Sequence, residues 1–167
     1  QWGLTQIRKK GLRDMGATLP APSASTILVG LETLDLRYQK ACENARKLAQ
    51  HFMNHPKIKQ VFYPGLASHP QHFLARDHFS SYGALMSIEL PEGEDIIQFI
   101  NRLNLVICST HLGDTRTLAI PVAQTIFFEA TQVERDRTGI TDQIVRLSIG
   151  IEDVDDLIAD FEQSLNA

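Results

Sequence analysis

Arg146 stands in the middle of the run Ile144-Val-Arg-Leu-Ser-Ile149, with apolar residues on both sides. A guanidinium keeps its proton, so one that is buried needs an anion. Two readings fit the pattern. The arginine lies on the solvated face of a sheet or pairs with a structural carboxylate, as most arginines are exposed or paired. Alternatively, its planar fork grips a substrate carboxylate through two parallel bonds. The spacing alone does not choose between them. His69 and His72 flank Pro70, a spacing that raises the question of a metal. No Cys, Asp or Glu sits beside them at ligand spacing and a second pair is missing, so they read as loop or capping histidines, and no metal is expected. The chain has no GxSxG, no HExxH, no P-loop and no Gly-rich nucleotide fingerprint. Gly113-Asp114 reads as a turn.

The elements that must position Arg146 are legible around it. Val145, Leu147 and Ile149 alternate with Ile144, Arg146 and Ser148, the period of a strand. Gly150 breaks the run, and Glu152-Asp153 is expected to supply an N-cap and an acidic first turn. Val154, Leu157, Ile158, Phe161 and Leu165 then recur at helical spacing, with Asp155, Asp156, Asp160 and Glu162 expected on the opposite face.

Upstream, residues 1–15 read as the end of a helix. The opening Gln-Trp-Gly-Leu-Thr carries no helix start signal and is expected to be cut from something longer, whereas the last helix fades into Asn166-Ala167. Residues 16–25 are turn-rich, with Pro20 and Pro22 expected to prohibit a continuous helix and Ser23 or Ser25 to cap the next one. A long apolar stripe runs from Ile27 through Leu34, Cys42 and Leu48 to Phe52. Gly30 is expected to mark a bend or break, and the helix stops near His55-Pro56. Cys42 lies on the stripe as a small core residue. Strands are expected at 59–63, 84–90 and 105–109, with a further short one from Thr117. Short helices are expected around 73–76, 96–103 and 131–137, the last with Gly139 past its end, and residues 91–94 as a turn and cap. Ile126-Phe127-Phe128 is apolar for a loop and is either core or an exposed patch.

These elements describe an α+β two-layer sandwich, a small sheet covered on one side by helices. With 167 residues, 43% of them hydrophobic, one domain with a proper core is expected. A net charge of -4 gives no basic footprint for nucleic acid. No apolar run is long enough to span a membrane, and nothing resembles a signal peptide. Cys42 and Cys108, far apart and without a CxxC, are expected as free thiols in a reducing cytoplasm.

Several segments occur in a recognisable order: Gly11-Leu-Arg-Asp-Met-Gly-Ala17, Gly30-Leu-Glu-Thr-Leu-Asp-Leu-Arg37, Glu43-Asn-Ala45, Tyr63-Pro-Gly-Leu66 with Ser68-His-Pro-Gln-His72, Leu112-Gly-Asp114, and Val145-Arg-Leu-Ser-Ile-Gly-Ile-Glu-Asp153. Together they resemble the C-terminal part of the Cys/Met-metabolism (transsulfuration) family of pyridoxal-phosphate enzymes. That family includes cystathionine γ-synthase, the cystathionine lyases, methionine γ-lyase and the O-acylhomoserine sulfhydrylases. The resemblance covers nearly the whole chain. It implies the small C-terminal domain of an aspartate-aminotransferase-like (fold type I) enzyme, with a mostly antiparallel sheet at 26–167 and the end of a linker from a large domain at 1–25. It implies a parent that acts on sulfur amino acids or O-acyl homoserine by β- or γ-elimination or γ-replacement. Pyridoxal 5'-phosphate (PLP) is then bound by the large domain, and the Schiff-base lysine lies upstream. No lysine here takes that role, no catalytic residue is assigned to this chain, and the chain alone is expected to be inactive.

Arg146 matches the family arginine that binds the substrate α-carboxylate, and the loop with Thr110 and His111 matches one that lines the substrate pocket. The implied partners are the amino-acid substrate, the large domain and further copies of the parent, as a tetramer. The chain departs from the family in two places. His111 stands where members commonly have Ser, and Ile120-Pro-Val-Ala-Gln-Thr-Ile126 stands where they commonly carry a His-Pro-Ala-Ser-x-Thr-His run. A reading of another class, a stand-alone inactive domain serving as an interaction module, stays open.

Overall fold

The computed structural model describes residues 1–16 and 18–167; the turn reading at Ala17 lies outside the described residues. The chain forms two compact units, Gln1–Asp35 and Leu36–Ala167. In the first unit lie α1 (Trp2–Gln6), a π-wound stretch Ile7–Leu12, α2 (Arg13–Met15) and α3 (Ala21–Leu31), and none of these elements buries a residue. The prolines do not prohibit α3 but begin it. Pro20 is extended at the N-cap and Pro22 falls in the first turn, where a missing N–H costs nothing because those amides have no intrahelical partner. Ser23 and Ser25 therefore lie inside the helix rather than capping it. Gly30 is helical too, and the break falls just beyond it, before α4 (Leu34–Met53).

In the second unit α4 buries Ala41, Cys42, Asn44, Ala45, Leu48, Ala49 and Phe52. The sheet comprises β1 (Gln60–Phe62), β2 (Leu85–Glu89), β3 (Ile107–Cys108), β4 (Leu118–Pro121) and β5 (Ile144–Ser148) in the order β1-β2-β5-β4-β3. Only β3 and β4 pair in parallel. The fold is thus the α+β class expected, with a mostly antiparallel sheet. Alternation along β5 sends Val145 and Leu147 into the main core, where they meet Met86 and Ile88 of β2 and Ala119 of β4. Leu48 and Phe52 of α4, Phe99 and Ile100 of α6 (Ile96–Arg102), and Leu157 and Phe161 of α8 (Val154–Asn166) complete it. The Phe52 and Phe161 rings meet edge to face at 5.0 Å. Each such side chain withdrawn from water stabilises the fold by about 1.5–3 kcal/mol.

The caps differ in part from expectation. Asp153 caps α8 by accepting from the Asp155 amide, and Asp95, not the 91–94 turn, caps α6. Glu152 is not a cap, because its carboxylate turns away to Thr117. Asp160 is not on the solvated face of α8. It is buried and accepts from the amides of Asn104, Leu105 and Val106 at 2.8, 2.9 and 3.0 Å. The helix α5 (His72–His78) follows the 66–71 loop. In α7 (Gln132–Thr138), Thr131 and Glu134 form a capping box and Gly139 ends the helix at a φ of 70°. Ile126 and Phe128 are exposed rather than core.

Candidate functional site

β5 is the central strand, so a residue on its non-core face is flanked on both sides by backbone. Arg146 occupies that face, opposite Ser87 of β2 and Ile120 of β4. It is half-buried, and one guanidinium nitrogen, Nη2, donates to the Thr110 carbonyl at 2.9 Å. Among the described residues no carboxylate stands within ion-pair distance of it. Burial alone pulls its pKa below the ordinary arginine value, which reports a cation that has lost some water and gained no anion. Of the two sequence readings, pairing with a structural carboxylate has no such residue beside it here. The guanidinium has five N–H donors, and the carbonyl of Thr110 takes one.

The loop over this face is pinned by its own strand. Ser148, two residues past Arg146 and buried, accepts from the Gly113 amide at 3.2 Å. Gly113 has a φ of 73°, so the left-handed turn suits glycine there. Next to it, Asp114 accepts from the Arg116 backbone and guanidinium, which hold its carboxyl well below the usual carboxylate range. Thr110 reaches Arg146 through its carbonyl, while the His111 side chain is exposed at the loop's tip. Downstream, Thr125 donates to Pro121 O. A cleft of about 260 Å³ adjoins the loop, with Leu85, Leu112, Gly113 and Ser148 and, from α4, Arg37 and Tyr38 among its lining residues. Arg146 is a neighbour of this cleft and not part of its wall.

Other residues singled out in the sequence do different work. The His72 ring stacks on Tyr82 at 5.5 Å and bonds Pro64 O, and His69 accepts from the Gln71 amide. Among the described residues no group of three His, Cys, Asp or Glu is arranged to hold a metal ion. Cys42 is buried and Cys108 exposed, both as free thiols. Asn44, Thr117 and Glu152 form a network beside this site that no pattern along the sequence marks. Asn44 donates to the carbonyls of Gly150 and Glu152 from α4. In the sequence only the Glu43-Asn-Ala45 segment points to it, since spacing on α4 places an asparagine among apolar residues without saying why.

The chain as a whole is similar to proteins of known activity. The family model for Cys/Met metabolism PLP-dependent enzymes matches residues 3–166. An L-methionine gamma-lyase of Fusobacterium nucleatum subsp. polymorphum is 43% identical over 162 residues, which are 96% of this chain and 41% of that enzyme. The structure of a Campylobacter jejuni protein assigned as an O-acetylhomoserine (thiol)-lyase superposes with a TM-score of 0.90 at 37% identity, over 98% of this chain and 39% of that one. That structure carries a pyridoxyl-lysine. A cystathionine gamma-lyase of Micromonospora echinospora superposes with a TM-score of 0.91 at 29% identity, over 100% and 44% of the two chains. The chain therefore spans about two fifths of the length of the relatives it matches.

Proposed function

Because this chain belongs to the Cys/Met metabolism PLP-dependent enzymes, we propose that it is the part of such an enzyme that holds the amino-acid substrate, with Arg146 as the clamp on its α-carboxylate. The observation that carries this reading is a half-buried cation at the centre of the sheet with no carboxylate partner among the described residues. Four of its N–H groups, five less the one given to Thr110, stay available for a planar anion. Fixing the carboxylate fixes the α-carbon, and holding a reacting bond in one orientation is worth several kcal/mol of barrier. When bound, PLP supplies the electron sink that lets a bond at that carbon break. In this reading the lysine and the phosphate-binding groups belong to a large domain outside residues 1–167. The lysines of the sheet-bearing unit with a described partner are engaged elsewhere, Lys47 with Glu43, Lys57 with Leu165 O and Lys59 with Glu89.

The substrate class is a sulfur amino acid or an O-acyl homoserine, processed by β- or γ-elimination or γ-replacement, and the chain without its cofactor domain is inactive. Residues 1–25 are the end of the connection to that domain, whose surface covers the exposed apolar residues of the first unit. Thr110 shapes the clamp through its carbonyl, and His111 faces the substrate side chain. The assembly is a homo-oligomer in the cytoplasm, in keeping with two free thiols and no disulfide. Exposed Ile126 and Phe128 favour the second reading, an inactive interaction module. The two readings separate in one experiment. The protein expressed from its whole reading frame is titrated with L-methionine and O-acetyl-L-homoserine while the cofactor's visible absorbance is followed. Arg146→Ala should keep the colour and weaken amino-acid binding about 100-fold, the equivalent of two charge-assisted bonds. A protein that takes up no PLP and binds neither amino acid refutes the enzyme reading.

A further inference from the structure

The far end of β5 is tied by a buried polar network that does not touch Arg146. Asn44 and Thr117 are fully buried. The side-chain amide of Asn44 donates to Gly150 O at 3.1 Å and Glu152 O at 2.8 Å. Glu152 extends its carboxylate back to Thr117, accepting from both its amide and, at 2.8 Å, its hydroxyl. That hydroxyl in turn accepts from the Gly150 amide at 2.9 Å. One small group thus gives and receives, which no apolar isostere can do. Ile151 N donates to Thr115 O at 2.9 Å. A Cβ on Gly150 would stand 2.3 Å from Thr115 O and 2.6 Å from Arg116 C, so the two segments approach as only a glycine allows.

Two features point beyond generic packing. Among the described residues the buried Asn44 Oδ1 has no hydrogen-bond partner, so what this side chain contributes here is its NH₂, and the unmet oxygen itself costs stability. The segments joined are the two ends of the Arg146 site. Residues 150–152 continue β5 immediately past Arg146 and Ser148. Residues 115–117 end the loop whose Thr110 carbonyl seats the guanidinium and whose Gly113 is bonded to Ser148.

We infer that Asn44, Thr117 and Glu152 are positioning residues: they lock the loop over residues 110–116 to the C-terminal end of β5 and thereby fix the angle at which Arg146 presents its fork. This rests on the reading of Arg146 as the carboxylate clamp. An error of about 1 Å in a positioned group costs up to about 100-fold, and a loop held by one hydrogen bond fewer shifts by less.

The test uses the PLP-loaded protein expressed from its whole reading frame. Its probes are the one of L-methionine and O-acetyl-L-homoserine that gives the larger absorbance change, and the same compound lacking its carboxylate. Thr117→Val, isosteric but without the hydroxyl, should weaken binding of the amino acid about tenfold and leave the amine within about twofold. Thr117→Ser should restore the amino acid to within about twofold of wild type. Equal loss for amino acid and amine, or no loss for either, overturns the proposal. Should Thr117→Val not accumulate folded, Asn44→Ser is read in the same way, and if neither variant folds the network is structural and the proposal fails. Arg146→Lys runs alongside. If Arg146→Lys does not weaken the amino acid, the clamp reading has failed; if it does while Thr117→Val has no effect, only the positioning role has.

Discussion

Asp160 offers the most quantitative check on the fold that carries the site. Its Oδ1 accepts from the Asn104 amide, and its Oδ2 from those of Leu105 and Val106. This one carboxylate closes the turn between α6 and β3. In Asp160→Asn a single oxygen remains. It is best spent on Leu105 and Val106, which turns the new NH₂ against the Asn104 N–H, two donors 2.8 Å apart. Asn104 is exposed, so its amide moves to water at modest cost. The two bonds retained lose their charge assistance, roughly halving each. The sum is about 2 kcal/mol. Asp160→Ala also strands the buried Val106 amide, and its cost rises to about 4 kcal/mol. Amide hydrogen exchange read by mass spectrometry on the peptide 103–107 reports this locally. At about 1.4 kcal/mol per tenfold, protection there should fall about 30-fold in Asp160→Asn and further in Asp160→Ala, while β2 and β5 change less. Unaltered protection of 103–107 in Asp160→Ala would refute the assignment of these three amides to the carboxylate.

Three further perturbations have defined signs. A Cβ at Gly65 would lie 2.4 Å from the Tyr63 ring, which is buried and anchored by its hydroxyl to Gly83 O. Gly65→Ala should therefore lower thermal stability by about 2 kcal/mol, and an unchanged melting temperature would contradict it. Burial works to raise the Glu162 carboxyl, but the hydrogen bond from His51 and the nearby His55 outweigh it and leave the pKa below the ordinary 4.5. A depressed carboxyl adds stability that is fully present above its unfolded value and lost as pH falls below it. Glu162→Gln should therefore flatten the fall in stability below about pH 4.5; parallel acid limbs for the two proteins would refute this. If His111 faces the substrate side chain as proposed, His111→Ser should change the ratio of kcat/KM between two amino acids of different side chain by about three- to tenfold, a contact-sized effect, and an unaltered ratio would refute that proposal.

What the sequence disclosed and what it hid divide along the range of the interactions. The β5-α8 unit could be read because alternation over 144–149 and helical spacing over 154–165 are local and periodic. Arg146 stood out for the same reason, as a charge breaking an apolar period. Asp160 reads as solvated along the chain because the three amides it serves lie 54 to 56 residues away, beyond the reach of any helical spacing. The neighbours of Glu152 in sequence make it look like part of a cap, whereas its carboxylate crosses to Thr117, 35 residues back. Asn44 bonds across 106 and 108 residues, a separation no pattern along the chain reports. The prolines of α3 misled by their number; their position, one at the cap and one in the first turn, decides that a helix starts there.

The most direct test of the central claim is a thermodynamic cycle between Arg146 and the substrate carboxylate. Binding of L-methionine and of its amine lacking the carboxylate is measured to wild type and to Arg146→Ala, each as the PLP-loaded protein from the whole reading frame. Arg146 as the clamp predicts that the substitution weakens L-methionine by about 100-fold and the amine by less than about twofold, a coupling of about 2–3 kcal/mol. Equal weakening of both ligands, or of neither, would contradict it.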